Sequence, residues 1–238
     1  MEPVARQANP TEPEKPVLFL DIDNCLYSRQ IKVQEVLSGL IDNYFEKHLG
    51  LSREQAVLLH QEYYKHYGQA IEGLVRRHQI DPMEYNANVD DALPLENMIK
   101  PDPKLRRLLE DIDRDKVRLW LLTNAYKTHG ERVVKLLGVD DLFEGLTYCN
   151  YAEIPFICKP HIDMFKKAMR EAGVQRNGSC YFVDDSYNNC AGARQAGWIA
   201  AHLIEEGLPI PATPACQYQI HNLEELRSVY PQFFKPRE

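Results

Sequence analysis

A chain of 238 residues, 44% of them hydrophobic, can bury a substantial core as one large domain or as one domain carrying an insertion. Its formal charge of −7 and a pI near 5.7 argue against a nucleic-acid polymer or an anionic membrane as the main partner, but leave room for a small anionic substrate held by local cations or a metal. Apolar runs stop at about six or seven residues, well short of the roughly 20 needed to cross a bilayer.

Residues 1–16 are rich in Pro and Glu, lack the apolar core of a secretory signal, and are expected to form a disordered tail. Residues 17–21 read as a buried parallel strand, short and apolar without alternation. From residue 31 to about residue 91 helical spacing takes over. Val33, Val36, Leu37, Leu40, Ile41 and Tyr44 recur at steps of three and four, up to Gly50. Ser52, with Gln55 three residues on, forms a capping-box pattern for a second helix carrying Val57, Leu58, Tyr63, Tyr64 and Tyr67. Shorter helices over 70–78 and 83–91 complete a small helical module.

Pro94, Pro101 and Pro103 mark the return to the main domain, where strand and helix signals alternate. Residues 105–110 predict a helix and 117–122 a strand. A helix over 131–137 stops at Gly138, and 145–149 predicts a short strand. A helix over 162–172 stops at Gly173, 179–183 predicts a strand, and a helix over 188–196 ends at Gly197. A strand over 198–203 follows, and Asn222 caps a last helix through residue 229. This alternation implies an α/β fold: a Rossmann-like, doubly wound parallel sheet covered on both faces. The core takes residues 17–28 and 95–238, with a helical cap of residues 29–94 inserted after the first strand.

Ligands of such sheets bind beyond the carboxyl ends of the strands. Asp21, Thr123 and Asp184 each stand at such an end. Asp21 can attack phosphorus and form an aspartyl-phosphate. Asp23, two residues on, can protonate the leaving alkoxide and then activate water; the bland alternative is a polar turn. Thr123 and Asn124 offer a hydroxyl and a backbone N–H to phosphate oxygens, or else a helix N-cap. Lys159 can hold the phosphate and offset the charge of Asp21, or be a solvated loop lysine. Asp184 and Asp185 after an apolar run would be costly without a cation. Mg²⁺ suits them as a hard ion with oxygen ligands. Its ligands would be the Asp21 carboxylate, the Asp23 carbonyl, Asp185, and Asp184 directly or through water, with Asn189 steadying the metal waters.

Other chemistries find no support. No cysteine is followed six residues later by arginine, and Gly-x-x-x-x-Gly-Lys, Gly-x-Gly-x-x-Gly and His-Glu-x-x-His are all missing. The eight histidines are spread out as surface or core residues. Six scattered cysteines without a Cys-x-x-Cys pair predict buried, reduced thiols in a cytosolic protein.

The order Asp-x-Asp, Thr-Asn, Lys-Pro, Asp-Asp-Ser resembles the haloacid dehalogenase-like (HAD) hydrolase superfamily, from Asp21 to Asn189. Longer strings resemble fungal pyrimidine 5′-nucleotidases. They are Asp21-Ile22-Asp23-Asn24-Cys25-Leu26-Tyr27, Glu84-Tyr85-Asn86, Val89-Asp90-Asp91, Leu93-Pro94-Leu95 and Thr123-Asn124-Ala125-Tyr126-Lys127. Gly145-Leu146-Thr147-Tyr148-Cys149, Cys158-Lys159-Pro160-His161 and Phe182-Val183-Asp184-Asp185-Ser186 extend the match. The resemblance implies an HAD-like core and Mg²⁺-dependent hydrolysis of nucleoside 5′-monophosphates, UMP and CMP first, with nicotinamide mononucleotide and sugar phosphates as open alternatives. Cys25 departs from the Thr or Val usual across the superfamily; a small residue suffices there. Asp23 argues for phosphatase over dehalogenase chemistry.

The cap is expected to set specificity by closing over the nucleoside. Arg29, Tyr63, Tyr64 and Tyr67 are candidates for contact with it, with core packing the alternative for the tyrosines. The protein is expected to be a cytoplasmic monomer or weak oligomer, with the nucleus also open. A phospho-accepting signalling domain uses similar residues, but there the acidic pair comes early and the acceptor later, without a long helical insertion.

Overall fold

A computed structural model of the chain describes residues 14–236, so the expected tail lies outside the described residues as far as residue 13. Residues 14–16 are tied to the body. The Glu14 carboxylate accepts the backbone N–H groups of Gln175 (2.6 Å) and Arg176 (3.0 Å), and the Pro16 carbonyl accepts that of Arg118 (3.0 Å).

The sheet comprises β1 (Val17–Leu20), β2 (Arg118–Leu122), β3 (Leu146–Thr147), β4 (Cys180–Asp184), β5 (Ile199–Leu203) and β6 (Tyr218–Ile220). All pairs are parallel, in the order β3-β2-β1-β4-β5-β6. The chain builds outward from β1 in one direction and then in the other. That reversal opens a crevice at the carboxyl end of β1.

Between β1 and β2 run α1 (Val33–Leu49), α2 (Arg53–Tyr67), α3 (Ala70–His78), α4 (Pro82–Asn88), the single turn α5 (Leu95–Met98) and α6 (Pro103–Glu110). Then come α7 (Lys127–Leu137), α8 (Ile162–Ala172), α9 (Tyr187–Gln195) and α10 (Leu226–Val229). Alternation along each strand divides the core. Leu18, Leu20, Leu119 and Leu121 pack with α6 and α7, whereas Phe19, Trp120, Leu122 and Phe182 pack with α8 and α9. Burying each such side chain contributes about 1.5–3 kcal/mol.

Helices α1 to α4 form the cap around their own core of Ile41, Tyr44, Phe45, Ile71, Leu74 and Tyr85. Ser52 and Gln55 make the expected capping box at the start of α2. The cap core also takes Cys149, Tyr151, Phe156 and Cys158 from the segment between β3 and α8, far outside residues 29–94. Gly73 lets α3 lie against α2. A Cβ there would sit 2.2 Å from the Tyr63 ring.

Two short elements escaped the sequence reading. Strand β6 has two exposed residues of three, so it offers no apolar run, and α5 is a single turn. Helix α7 begins four residues before the expected boundary, because His129 and Gly130 are buried without contributing to an apolar pattern. Asn222 does not cap a helix with its side chain; its amide donates to Glu225 Oε1 (3.0 Å) ahead of a 3₁₀ turn. The six cysteines are free and buried. Among the described residues no helix is long and apolar enough to cross a membrane.

Candidate active site

The Asp21 N–H donates to the Val183 carbonyl (2.9 Å), extending the β1–β4 pairing one residue beyond the strand and fixing the carboxylate at its end. Lys159 arrives from the loop before α8. Its ammonium donates three bonds: to Asp21 Oδ1 (2.6 Å), to Asp184 Oδ2 (2.7 Å) and to the Leu122 carbonyl at the end of β2 (2.7 Å). Lys159 is 2% exposed and Asp184 wholly buried. Three protons meet three acceptors, which is the condition for burying an ammonium.

The remaining acceptor capacity of Asp184 is filled as well. Ser186 N–H reaches Oδ1 at 2.7 Å and the Asn189 amide lies 3.1 Å from both oxygens. Asn189 thus touches Asp184 directly. Asp185 turns outward to the Arg29 guanidinium, and its carbonyl meets His202 Nε2 at 3.1 Å. Arg29 is itself seated by Glu205, which accepts the Arg29 N–H and the Ser28 hydroxyl (2.8 Å each).

Asn124 does not turn its side chain toward an anion. Its amide clamps the backbone of Lys159, donating to the carbonyl (2.9 Å) and accepting the N–H (2.7 Å). The Asn124 carbonyl accepts Gln69 Nε2 from the cap at 2.6 Å. Thr123 is buried; its Oγ1 accepts the Ala125 N–H (3.0 Å), leaving the hydroxyl proton for another acceptor.

Asp23 lies at the cleft mouth, with one oxygen shared between the Tyr27 hydroxyl (2.6 Å) and His129 Nε2 (2.8 Å). Sequence reasoning passed over His129. Its only signal is a histidine two residues into the helix that follows Thr123-Asn124. Cys25 is buried with its thiol toward the Val183 carbonyl, and burial holds it protonated.

The electrostatics separate the carboxylates. Burial and then the charge of Asp184 push Asp21 well above the usual carboxylate range, against the opposing Lys159. Burial, then Asp184, raise Asp185 to about 6. Burial works against the Lys159 charge, but Asp184 and Asp21 outweigh it and raise its pKa. Asp23 goes the other way. Burial would raise it, yet the His129 charge and the hydrogen bonds from His129 and Tyr27 bring it below its ordinary value. His129 is raised in return, burial being outweighed by Asp23.

Asp21, Asp184 and Asp185 each present an oxygen within 4.8 Å of the others. Three crowded carboxylates facing one ammonium form an all-oxygen donor set suited to a hard divalent cation. These groups open into a cleft of about 750 Å³ between core and cap, which also takes in Thr123, Asn124 and Arg29. Tyr63 and Tyr67 do not reach it. The Tyr63 hydroxyl meets His78 Nε2 (2.7 Å) inside the cap, and Tyr67 accepts from Arg77 on another groove. Tyr64 is the tyrosine of α2 that lines the cleft.

Residues 16–197 match the haloacid dehalogenase-like hydrolase family. The chain belongs to that family. Over 204 residues this HAD hydrolase is 41% identical to Phosphate metabolism protein 8 of Saccharomyces cerevisiae, a match covering 82% of this chain and 64% of that relative's length. It shares its fold with an HAD phosphatase from Thermococcus onnurineus (TM-score 0.59, 19% identity, 90% of this chain and 97% of that one). A variant of CbbY from Rhodobacter sphaeroides, in complex with xylulose-(1,5)bisphosphate, superposes with a TM-score of 0.64 at 16% identity, over 90% of this chain and 96% of that one. L-2-haloacid dehalogenase from Xanthobacter autotrophicus gives 0.57 at 14% identity, over 92% and 100%.

Proposed function

We propose that this HAD hydrolase is a Mg²⁺-dependent 5′-nucleotidase that converts pyrimidine nucleoside 5′-monophosphates, UMP and CMP, to nucleoside and phosphate. The observation that carries the reading is the buried Lys159 bridging Asp21 and Asp184, with Asp185 and Asp23 at the same cleft. Six free, buried thiols favour a reducing compartment such as the cytoplasm.

An oxygen of Asp21 attacks phosphorus, the bond from phosphorus to the ester oxygen breaks, and the phosphoryl group passes to Asp21. Asp23 delivers a proton to the leaving 5′-oxygen and then takes one from the water that hydrolyses the aspartyl-phosphate. The Asp23–His129 pair carries the proton needed. His129 Nε2 lies 2.8 Å from Asp23 Oδ1, and an approaching phosphate dianion raises the proton affinity of both groups, so the pair keeps its proton until the ester oxygen leaves. Lys159 holds the phosphate oxygens while offsetting the Asp21 charge. Asn124 keeps Lys159 in place through its backbone, and Thr123 has a hydroxyl proton to donate. Asp21, Asp185 and the Asp23 carbonyl would hold the Mg²⁺, with Asp184 directly or through water, and Asn189 would orient Asp184. When bound, the ion neutralises charge on the transferring phosphoryl group.

A panel of UMP, CMP, AMP, nicotinamide mononucleotide, a sugar phosphate and p-nitrophenyl phosphate, with Mg²⁺ and with EDTA, tests the reading. UMP and CMP are expected to lead in kcat/KM, with activity lost in EDTA. If neither is better than p-nitrophenyl phosphate, the nucleotidase assignment is wrong.

A further inference from the structure

The roof of the cleft carries a hydrogen-bonded pair that the chemistry above does not use. Asp42 on α1 is 7% exposed, and its Oδ1 lies 2.8 Å from His60 Nδ1 on α2. Its second oxygen is 3.3 Å from Arg53. Both Asp42 and His60 line the cleft, and His60 Nε2 has no hydrogen-bond partner among the described residues.

Helix geometry gives the height of this pair. Helix α1 starts at Val33, whose side chain packs in the main core, and rises 1.5 Å per residue, so Asp42 lies about 13 Å along the helix from Val33. Helix α2 runs back down to Gln69, which touches the carbonyl of Asn124 on the floor. His60, nine residues before Gln69, stands at about the same height as Asp42. Between floor and pair, Leu37 and Ile41 give the wall an apolar strip. A ligand matched to this cleft is anionic at one end, flat and apolar in the middle, and polar along its far edge. A sugar phosphate lacks the flat apolar part, whereas a nucleobase supplies it together with the polar edge.

The state of the ring follows from its partner. A carboxylate at Nδ1 takes the ring proton there, so the neutral imidazole presents Nε2 as an acceptor. Uracil offers an N–H at position 3 to such an acceptor, and cytosine offers a lone pair. We propose that His60, held by Asp42, reads the hydrogen-bonding edge of the pyrimidine through Nε2 and favours uracil. This rests on the nucleotidase reading above.

The test compares kcat/KM for UMP, CMP and ribose 5-phosphate under Mg²⁺. His60→Phe is expected to lower the ratio of UMP to ribose 5-phosphate about tenfold, the loss of one hydrogen bond in a shielded site. Asp42→Asn donates an amide N–H to Nδ1, moves the ring proton to Nε2, and shifts the UMP:CMP ratio toward CMP. A folded His60→Phe protein with the wild-type ratio overturns the proposal. An Asp42→Asn protein with an unmoved UMP:CMP ratio overturns it independently. A wild-type enzyme with no preference for UMP over ribose 5-phosphate removes the nucleotidase reading itself, and the proposal with it.

Discussion

On the floor of the cleft, Lys159 gives its three protons to three acceptors, and Asp184 takes donors from Lys159, Ser186 and Asn189. On the roof, Gln69 and Asp90 each keep a buried oxygen, and His60 a ring nitrogen, without a partner among the described residues. The floor is therefore ordered before any ligand arrives, as electrostatic preorganisation requires, while its three crowded carboxylates leave it short of positive charge. The roof holds polar capacity in reserve, and its order depends on packing between helices. In the proposed reading, chemistry common to the superfamily belongs to the first kind of surface, and selectivity to the second.

Removing the nucleophile tests the floor most severely. Asp21→Asn keeps the shape of the side chain and can still accept from Lys159, but cannot form the acyl phosphate. We expect turnover of the preferred nucleotide to fall by roughly 10⁴-fold or more. The melting temperature and circular dichroism should match the wild type. Substantial residual activity in that variant would place the nucleophile elsewhere and end the comparison.

The two surfaces also differed in how much of them could be read from sequence. Asp21, Thr123 and Asp184 were visible because each polar residue abruptly ends an apolar strand, and a parallel sheet puts such ends together. Lys159 had only its Pro160 neighbour as a signal, and its exact partners depend on a clamp by Asn124, 35 residues away. No local pattern marks that contact. Periodicity in α2 placed Tyr63, Tyr64 and Tyr67 on a helix but could not say which side of it meets the cleft. Packing against α3 turns Tyr63 inward, and Tyr64 is left lining the cleft. The four side chains that residues 149–158 lend to the cap were illegible for the same reason: they are tertiary contacts without a sequence period.

The dependence of the roof on packing can be tested apart from the chemistry. At Gly73 even one methyl group collides with the Tyr63 ring, and backbone on both sides is held in helix. Gly73→Ala is expected to destabilise the cap by up to about 3 kcal/mol, the usual range for overpacking. Selectivity among nucleotides should suffer more than hydrolysis of p-nitrophenyl phosphate, which needs only the floor. Equal losses on all substrates would mean that cap packing and the catalytic floor are not separable.

The smallest effect concerns Asp90, where the roof meets the floor. Burial raises this carboxyl to about 6, with His129 and Tyr151 opposing the rise. A folded-state pKa above the unfolded value of about 3.9 means that the protonated form fits the native site better. Its contribution to stability is fully present below about pH 4 and is lost as pH rises through 6. Asp90→Asn stays neutral at every pH, so the variant should gain on the wild type by on the order of 2 kcal/mol between pH 4 and pH 7.5. Urea unfolding of both proteins at the two pH values measures the difference. A difference that does not change with pH would mean that Asp90 is ionised at no cost in its buried site.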